Sequence, residues 1–279
     1  MARAADPRPD NLPPPMSMPF FAPGHDPGPD FPSLLQRVGL SPYATTRDGS
    51  HPLEVTQATT CVAVRFAGGV VMAGDRRATS GNLISHREME KVMPADRWSA
   101  VAIAGAAGPA MEMVKVYQLQ LEHYEKVEGI ALSLDGKANQ LSQMIRANLP
   151  AAMQGLVVVP IFAGWDHKRR MGRLFAFDVT GGRYEERTQI ATGSGSLHAG
   201  TVIKIGYQED MSADDAVDLC LRALWEAADA DAATGGPDLI RGIFPVVAII
   251  DDTGYRRLED DDLERRFRAI VGQLGDESR

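Results

Sequence analysis

Residues 59–92 read TTCVAVRFAGGVVMAGDRRATSGNLISHREMEKV, the most densely patterned stretch of the chain. Two apolar runs, TTCVAVRF and VVMAGDRR, flank Ala67-Gly68-Gly69, a pattern that predicts a β-hairpin. Three candidate nucleophiles, Thr59, Thr60 and Cys61, stand side by side at the head of the first strand. Within an uncut chain they are ordinary strand residues, so the question is whether the chain is cut before one of them.

The remainder of the chain alternates groups of strands with pairs of helices. We predict strands in WSAVAIAG, LVVVPIFAGW, RLFAFDV, RYEERTQIAT and FPVVAIID. Helices are predicted from Gly108 to about Lys126, from about Lys137 to Met153 with an interruption or end near Pro150, from about Ser196 to Tyr207, from Ser212 to about Asp229 and from Asp260 to Leu274. Strands that are grouped in sequence are usually antiparallel neighbours, and paired helices cover a face each. The prediction is an α+β fold, a four-layer α/β/β/α sandwich.

Composition excludes several classes of partner. The chain has 279 residues and a formal net charge of −8, which argues against a nucleic-acid or anionic-membrane surface. The longest apolar run, LVVVPIFA, is far shorter than the roughly 20 residues that cross a bilayer. No basic segment followed by an apolar stretch opens the chain, so we predict no signal peptide and a cytoplasmic protein. Both cysteines lie in apolar patterns and are predicted to be buried free thiols.

The first 58 residues differ from the rest. They contain 12 of the 18 prolines, in strings such as PRPDNLPPP and PGHDPGPDFP. Proline at this density blocks regular helix and favours extended or disordered chain. Composition alone leaves two alternatives, a dispensable tail or a pro-segment that is removed. We predict a propeptide over residues 1–58 and a catalytic domain over residues 59–279.

A threonine hydroxyl is a poor nucleophile unless a base lies next to it. A threonine at a new N-terminus supplies that base itself, because its α-amino group has a pKa of about 7.7–8.0. A nearby ammonium would lower that pKa, and a carboxylate would hold the ammonium in place. Asp75 and Lys91, which follow Thr59 in the same stretch, are the candidates for these two groups. The histidines lack metal-like spacing, and we predict neither a metal nor a cofactor.

Six ordered blocks of this sequence resemble one family. They are TTCVAVRFAGGVVMAGDRRATSGNLI, AIAGAAG, LEHYEKVEG, AAMQGL, GSGS and DAATGGPDLIRGIFP. Together they resemble the β subunit of the actinobacterial 20S proteasome, a threonine peptidase of the N-terminal-nucleophile hydrolase type. The resemblance covers Thr59 to about Asp251. It implies the four-layer sandwich, synthesis as a zymogen and autocatalytic cleavage between Ala58 and Thr59.

The resemblance also assigns roles by position. It implies a nucleophile at Thr59, an acid at Asp75, a lysine beside the nucleophile at Lys91 and an oxyanion N–H at Gly105. Ser194, Asp231 and Thr234 match the hydrogen-bond network around the threonine amine. The substrate-binding positions fall on Ala78, Thr79, Met89, Met93, Ile103, Ala107 and Met111. Because no charged residue is among them, the resemblance implies a chymotrypsin-like preference for Tyr, Phe or Leu.

One residue departs from the family pattern, and one register alternative stays open. The residue before the nucleophile is usually glycine, and here it is Ala58, from which we expect slower processing because glycine reaches a tight turn most easily. If Thr60 were the first residue instead, the spacings to the acid and the lysine would each change by one. A shift of one residue in a strand reverses the face on which its side chains lie.

The implied partners are those of a proteasome barrel. They are further β copies in stacked seven-membered rings, α subunits in outer rings, a ring-shaped ATPase and unfolded substrates, typically tagged with a ubiquitin-like protein. Two other functions are weighed: a non-catalytic structural ring subunit, and another amidohydrolase of the same superfamily. The presence of nucleophile, acid and lysine argues against the first. GSGS and DAATGG argue against the second.

Overall fold

The computed structural model describes residues 60–277, with side chains described through residue 272. Its strands are β1 (Thr60–Phe66), β2 (Gly69–Gly74), β3 (Ala78–Ser80), β4 (Leu83–His86), β5 (Val92–Asp96), β6 (Ser99–Ala102), β7 (Ile161–Asp166), β8 (Met171–Phe177), β9 (Arg183–Glu186), β10 (Gln189–Gly193), β11 (Val246–Asp251) and β12 (Gly254–Arg257). Its helices are α1 (Ala107–Glu128), α2 (Leu134–Ala147), α3 (Leu149–Ala152), α4 (Ser196–Gly206), α5 (Ala213–Ala230) and α6 (Asp260–Glu277).

Two five-stranded antiparallel sheets form the centre of the described chain. The first has the order β10-β1-β2-β11-β12, and the second the order β5-β6-β7-β8-β9. The predicted hairpin is confirmed, because Phe66 pairs with Gly69 across the turn between β1 and β2. A separate two-stranded ribbon, β3-β4, follows the end of β2.

Three apolar clusters separate four layers. The first cluster packs β1, β2 and β11 against α4, α5 and α6. Another cluster fills the space between the two sheets. The last packs the sheet β5-β6-β7-β8-β9 against α1 and α2. Alternate side chains of β1 point to opposite faces, so Val62 joins the helix-facing cluster while Cys61 and Ala63 face the other sheet. Burial on both faces explains the continuous apolar run, and the predicted α/β/β/α sandwich is confirmed.

Local signals predicted most helix ends correctly. Ser212 caps α5, and its side chain and that of Asp215 bond each other's backbone N–H groups in the predicted capping box. The helix predicted from Lys137 to Met153 begins earlier, at Leu134, and is interrupted at Asn148, two residues before Pro150. Proline removes a helical donor, which explains the interruption.

One predicted strand was wrong as a single element. RYEERTQIAT divides into β9, which pairs with β8 in the second sheet, and β10, which pairs with β1 in the first. The chain bends at Arg187 and Thr188 and so passes from one sheet to the other. FPVVAIID is not the last strand, because β12 follows it as the edge of the first sheet.

Within residues 60–277, no helix combines the length and the apolar character needed to cross a membrane. The boundary between residues 58 and 59 lies outside the described residues and stays a prediction.

Candidate active site

Asp75 lies at the centre of the site, immediately after β2. Its side chain is fully buried and accepts four hydrogen bonds. Oδ1 accepts from Thr60 N at 2.8 Å and from Lys91 Nζ at 2.6 Å. Oδ2 accepts from Arg77 N at 2.9 Å and from Gly235 N at 2.8 Å. An ionised carboxylate has no donor of its own and can take all four, so the environment is built for the charged form.

Lys91 is the partner of that carboxylate and is also fully buried. Besides Asp75, its ammonium donates to Arg77 O at 2.5 Å. A buried ion pair is tolerated only when the geometry is good and hydrogen bonds satisfy the rest of both groups, as they do here. The pair places a fixed ammonium at the start of β1, next to the peptide nitrogen of Thr60.

A second network reaches Thr60 from the opposite direction. Ser194 Oγ and Thr234 Oγ1 donate to Asp231 Oδ2 at 2.5 Å and 2.6 Å. Partial burial alone would raise the pKa of Asp231, but the hydrogen bonds from Ser194 and Thr234 outweigh it and lower that pKa. Asp231 is therefore ionised at neutral pH and accepts from both hydroxyls.

The charge on Asp231 fixes the direction of the remaining hydrogen bonds. The Thr234 hydroxyl donates its one proton to Asp231, so Thr60 Oγ1 must be the donor in the 2.6 Å hydrogen bond between the two threonines. Thr60 Oγ1 in turn accepts from Gly195 N at 3.0 Å. The result is a directed chain from a backbone N–H through two hydroxyls to a carboxylate.

Two glycines allow these networks to close. A Cβ on Gly195 would lie 2.5 Å from Thr60 Oγ1 and 2.6 Å from Thr234 Oγ1. A Cβ on Gly235 would lie 2.8 Å from Arg77 Cβ. All three distances are shorter than real Cβ contacts, so only glycine lets the backbone approach this closely.

Gly105 lies shortly after the end of β6 and faces the segment that contains Val157 and Val158. Its φ of +104° and the 2.1 Å between a hypothetical Cβ and Val157 O require glycine. It bridges Val158, but the two hydrogen bonds of that bridge are donated by Ala106 N and Val159 N. The N–H of Gly105 therefore takes no part in the bridge.

Two of the three candidate nucleophiles, Thr60 and Cys61, lie among the described residues, and both are buried. Thr60 is fully buried, and its hydroxyl belongs to the network above. Cys61 is fully buried as well, and loss of solvation raises the pKa of its thiol to about 12 despite the nearby Lys91. A thiol with that pKa is protonated at neutral pH and a poor nucleophile. Thr59 and Ala58 lie outside the described residues.

The predicted substrate-binding residues fall into two groups. Ile103 belongs to the buried cluster under the second sheet, and Met89, Met93 and Met111 pack against it from half-buried positions. Ala78 and Thr79 begin β3 and are buried, and half-buried Ala107 is the first residue of α1. The three methionines thus pack against the same buried cluster that contains Ile103.

Sequence reasoning missed four residues that the structure adds. Thr60 and Gly195 belong to the hydroxyl chain, and Arg77 and Gly235 hold Asp75. The signal was present in part, since Gly195 lies in GSGS and Gly235 in DAATGG, the blocks from which neighbouring residues were predicted. The predicted free thiols are confirmed at Cys61 and Cys220. Among the described residues, acidic, histidine and cysteine side chains form no group able to hold a metal ion.

The family model described as Proteasome subunit matches residues 55–240 of this chain. The chain belongs to the proteasome subunit family. The match begins before β1 and extends beyond Gly235, so both networks of this proteasome subunit lie within it.

Similar proteins share most of the chain with this subunit. The proteasome subunit beta of Acidimicrobium ferrooxidans is 61% identical over 249 residues, which cover 89% of this chain and 91% of that protein. Those of Streptomyces griseus and Acidothermus cellulolyticus are 58% and 52% identical, covering 78% and 88% of this chain and 78% and 86% of their own. The predicted resemblance to the β subunit of the 20S proteasome is confirmed.

Proposed function

We propose that this β subunit is an active threonine endopeptidase that matures by autolytic removal of residues 1–58, with Thr59 as its nucleophile. The observation that carries the proposal is the buried ion pair of Asp75 and Lys91 at the start of β1. The peptide nitrogen to which Thr59 is bonded lies 2.8 Å from Asp75 Oδ1, the same oxygen that holds Lys91. A fixed ammonium there suits an N-terminal nucleophile, because it lowers the pKa of a neighbouring amine.

In the proposed reaction, Thr59 Oγ attacks the scissile carbonyl carbon while its proton passes to the α-amine of Thr59. The N–H of Gly105 stabilises the oxyanion, and its exclusion from the β-bridge supports this role. The carbon–nitrogen bond then breaks, and the leaving amine takes the proton. Water attacks the resulting ester, releases the acyl product and restores the threonine hydroxyl.

Asp231, Ser194 and Thr234 act as positioning residues in this scheme. Their chain of hydrogen bonds ends on Thr60 Oγ1 and fixes the residue that directly follows the nucleophile. Burial of Thr60 and the high pKa of Cys61 support Thr59 over its two neighbours as the nucleophile. Ala58 occupies the other side of the proposed cut.

The half-buried methionines support a chymotrypsin-like preference. Met89, Met93 and Met111 present flexible apolar side chains at the cluster that contains buried Ile103, and an unpaired charge against them would be costly. An aromatic or leucine side chain would gain about 1.5–3 kcal/mol from burial there. We propose that Ala78, Thr79 and Ala107 complete the wall of this pocket.

The proposed working form is a barrel of stacked rings. By its family, the subunit would assemble with further β copies in seven-membered rings and with α subunits in outer rings. A ring-shaped ATPase would deliver unfolded or ubiquitin-like-tagged proteins, and the particle would work in the cytoplasm. These partners are proposed from the family alone.

Mass spectrometry of the assembled particle, combined with one variant, tests the proposal. We expect a mature chain that starts at Thr59, and we expect Thr59→Ala to keep its propeptide and to hydrolyse no peptide. Thr201→Ala, which changes an exposed hydroxyl on α4, is the matched control and should process and cleave normally. A mature chain that starts at Thr60, or complete particles with intact chains starting at Met1, would contradict the proposal.

A further inference from the structure

A small cavity lies next to the backbone that binds Asp75. It has a volume of about 40 Å³ and is lined by three arginines, Arg76, Arg77 and Arg87, and by parts of the 235–245 loop. Two of its lining residues, Arg77 and Gly235, are those whose N–H groups bind Asp75 Oδ2. The cavity therefore shares its wall with the proposed catalytic network.

The positive charge of this cavity is not compensated by the residues around it. None of the ion pairs among the described residues includes Arg76, Arg77 or Arg87. Asp238 is the one carboxylate in the lining, and it is already paired with Arg241 at 2.6 Å. The three arginines thus bring positive charge to the cavity wall with no ion-pair partner among the described residues, in a chain whose net charge is −8.

The hydrogen bonds of two of these arginines supply no counter-charge either. Arg76 donates from Nη2 to Glu88 O at 3.1 Å, and Arg77 donates from Nη1 to Ala232 O at 2.9 Å. Both acceptors are neutral carbonyls. Arg76 Nε is buried and donates to no group within the described part of the chain. A buried donor without an acceptor is costly, so the side chain of Arg76 is incompletely satisfied beside the cavity.

We propose that this cavity binds a small free oxyanion of the phosphate or sulfate type. Guanidinium groups form short, charge-assisted and often bidentate hydrogen bonds with such oxygens. One tetrahedral oxyanion in the cavity would supply the counter-charge that the three lining arginines lack. The small volume suits a single free ion of this size.

The binding itself is independent of whether the chain cleaves peptides. Its consequence for catalysis rests on the proposed function, because the bound anion would contact the backbone that holds Asp75. Direct measurement of binding therefore separates a failure of this inference from a failure of the proposed activity.

Equilibrium dialysis of the assembled full-length protein against radiolabelled phosphate, at ionic strength held constant with sodium chloride, tests the inference. We expect saturable binding of one phosphate per chain, displaced by sulfate. Arg87→Gln and Arg76→Gln should each weaken it by about tenfold or more, because each removes charge-assisted hydrogen bonds. Arg87 is exposed, so its variant should fold. Arg256→Gln, which changes an exposed arginine on β12, is the matched control and should bind normally.

The inference would be overturned by binding that does not saturate, by binding that survives both cavity variants, or by a loss that the Arg256→Gln control shares. Phosphate binding by the unassembled chain but not by the particle would also overturn it, because a carboxylate of a neighbouring copy would then occupy the cavity.

Discussion

Asp75→Asn should destabilise the fold far more than a one-atom change suggests. The carboxylate accepts two hydrogen bonds on each oxygen, from Thr60 and Lys91 on one and from Arg77 and Gly235 on the other. Asparagine offers one oxygen and one NH₂ group. In either orientation, the NH₂ group faces two donors and leaves both without an acceptor.

The cost follows from burial. Each buried donor left without a partner costs about 1–3 kcal/mol. Loss of the charge opposite Lys91, whose side chain is 0% exposed, adds about 3–5 kcal/mol. The total approaches the whole free energy of unfolding of an ordinary domain, about 5–15 kcal/mol.

Urea unfolding of the full-length chain, followed by circular dichroism, measures this loss. Asp251→Asn is the matched control: Asp251 also ends a strand of the first sheet and accepts two hydrogen bonds, from Thr253, but is half-exposed. We expect the control to lose about 1 kcal/mol or less. A loss at Asp75 no larger than that of the control would refute the reasoning from burial and donor count.

Further predictions concern packing, acid stability and specificity. Gly195→Ala should lose about 1–3 kcal/mol in urea unfolding because its Cβ would overlap two hydroxyls. Gly108→Ala, where a Cβ in helix α1 meets nothing within 4 Å, should instead raise the free energy of unfolding by up to about 1 kcal/mol. If both variants changed the free energy of unfolding in the same direction, the argument from Cβ contacts would be contradicted. Hydrogen bonds from Arg173 lower the pKa of Glu185 below its ordinary value, so the stability from this pair is present above about pH 4.3 and is lost as the pH falls through the folded-state pKa. The difference in unfolding free energy between wild type and Arg173→Met should therefore shrink in acid, and a difference that grows would disprove the ion-pair account. Met111→Asp should shift kcat/KM from peptides ending in Tyr or Leu toward those ending in Arg, whereas an unchanged preference would place Met111 outside the pocket.

Local sequence patterns predicted the architecture because they reflect local physics. Alternating and continuous apolar runs predicted the hairpin and most core strands, and the Ser212 and Asp215 pair predicted the start of α5. The ribbon β3-β4 was not predicted, because β4 is exposed along its whole length and shows no alternation of burial. RYEERTQIAT contains neither glycine nor proline, so nothing local marked its passage between two sheets.

The sequence by itself, through its ordered blocks, determined the family and the candidate residues Thr59, Asp75 and Lys91. Only the tertiary structure decided how Asp75 and Lys91 are held. Gly235 N reaches Asp75 across 160 residues, and Thr60 meets Thr234 across 174. Such contacts arise because the sheet that contains β1 and β2 packs against the helix layer that contains α5. The period of apolar residues encodes which face of each element is buried, but not which distant backbone N–H will lie beside a given carboxylate.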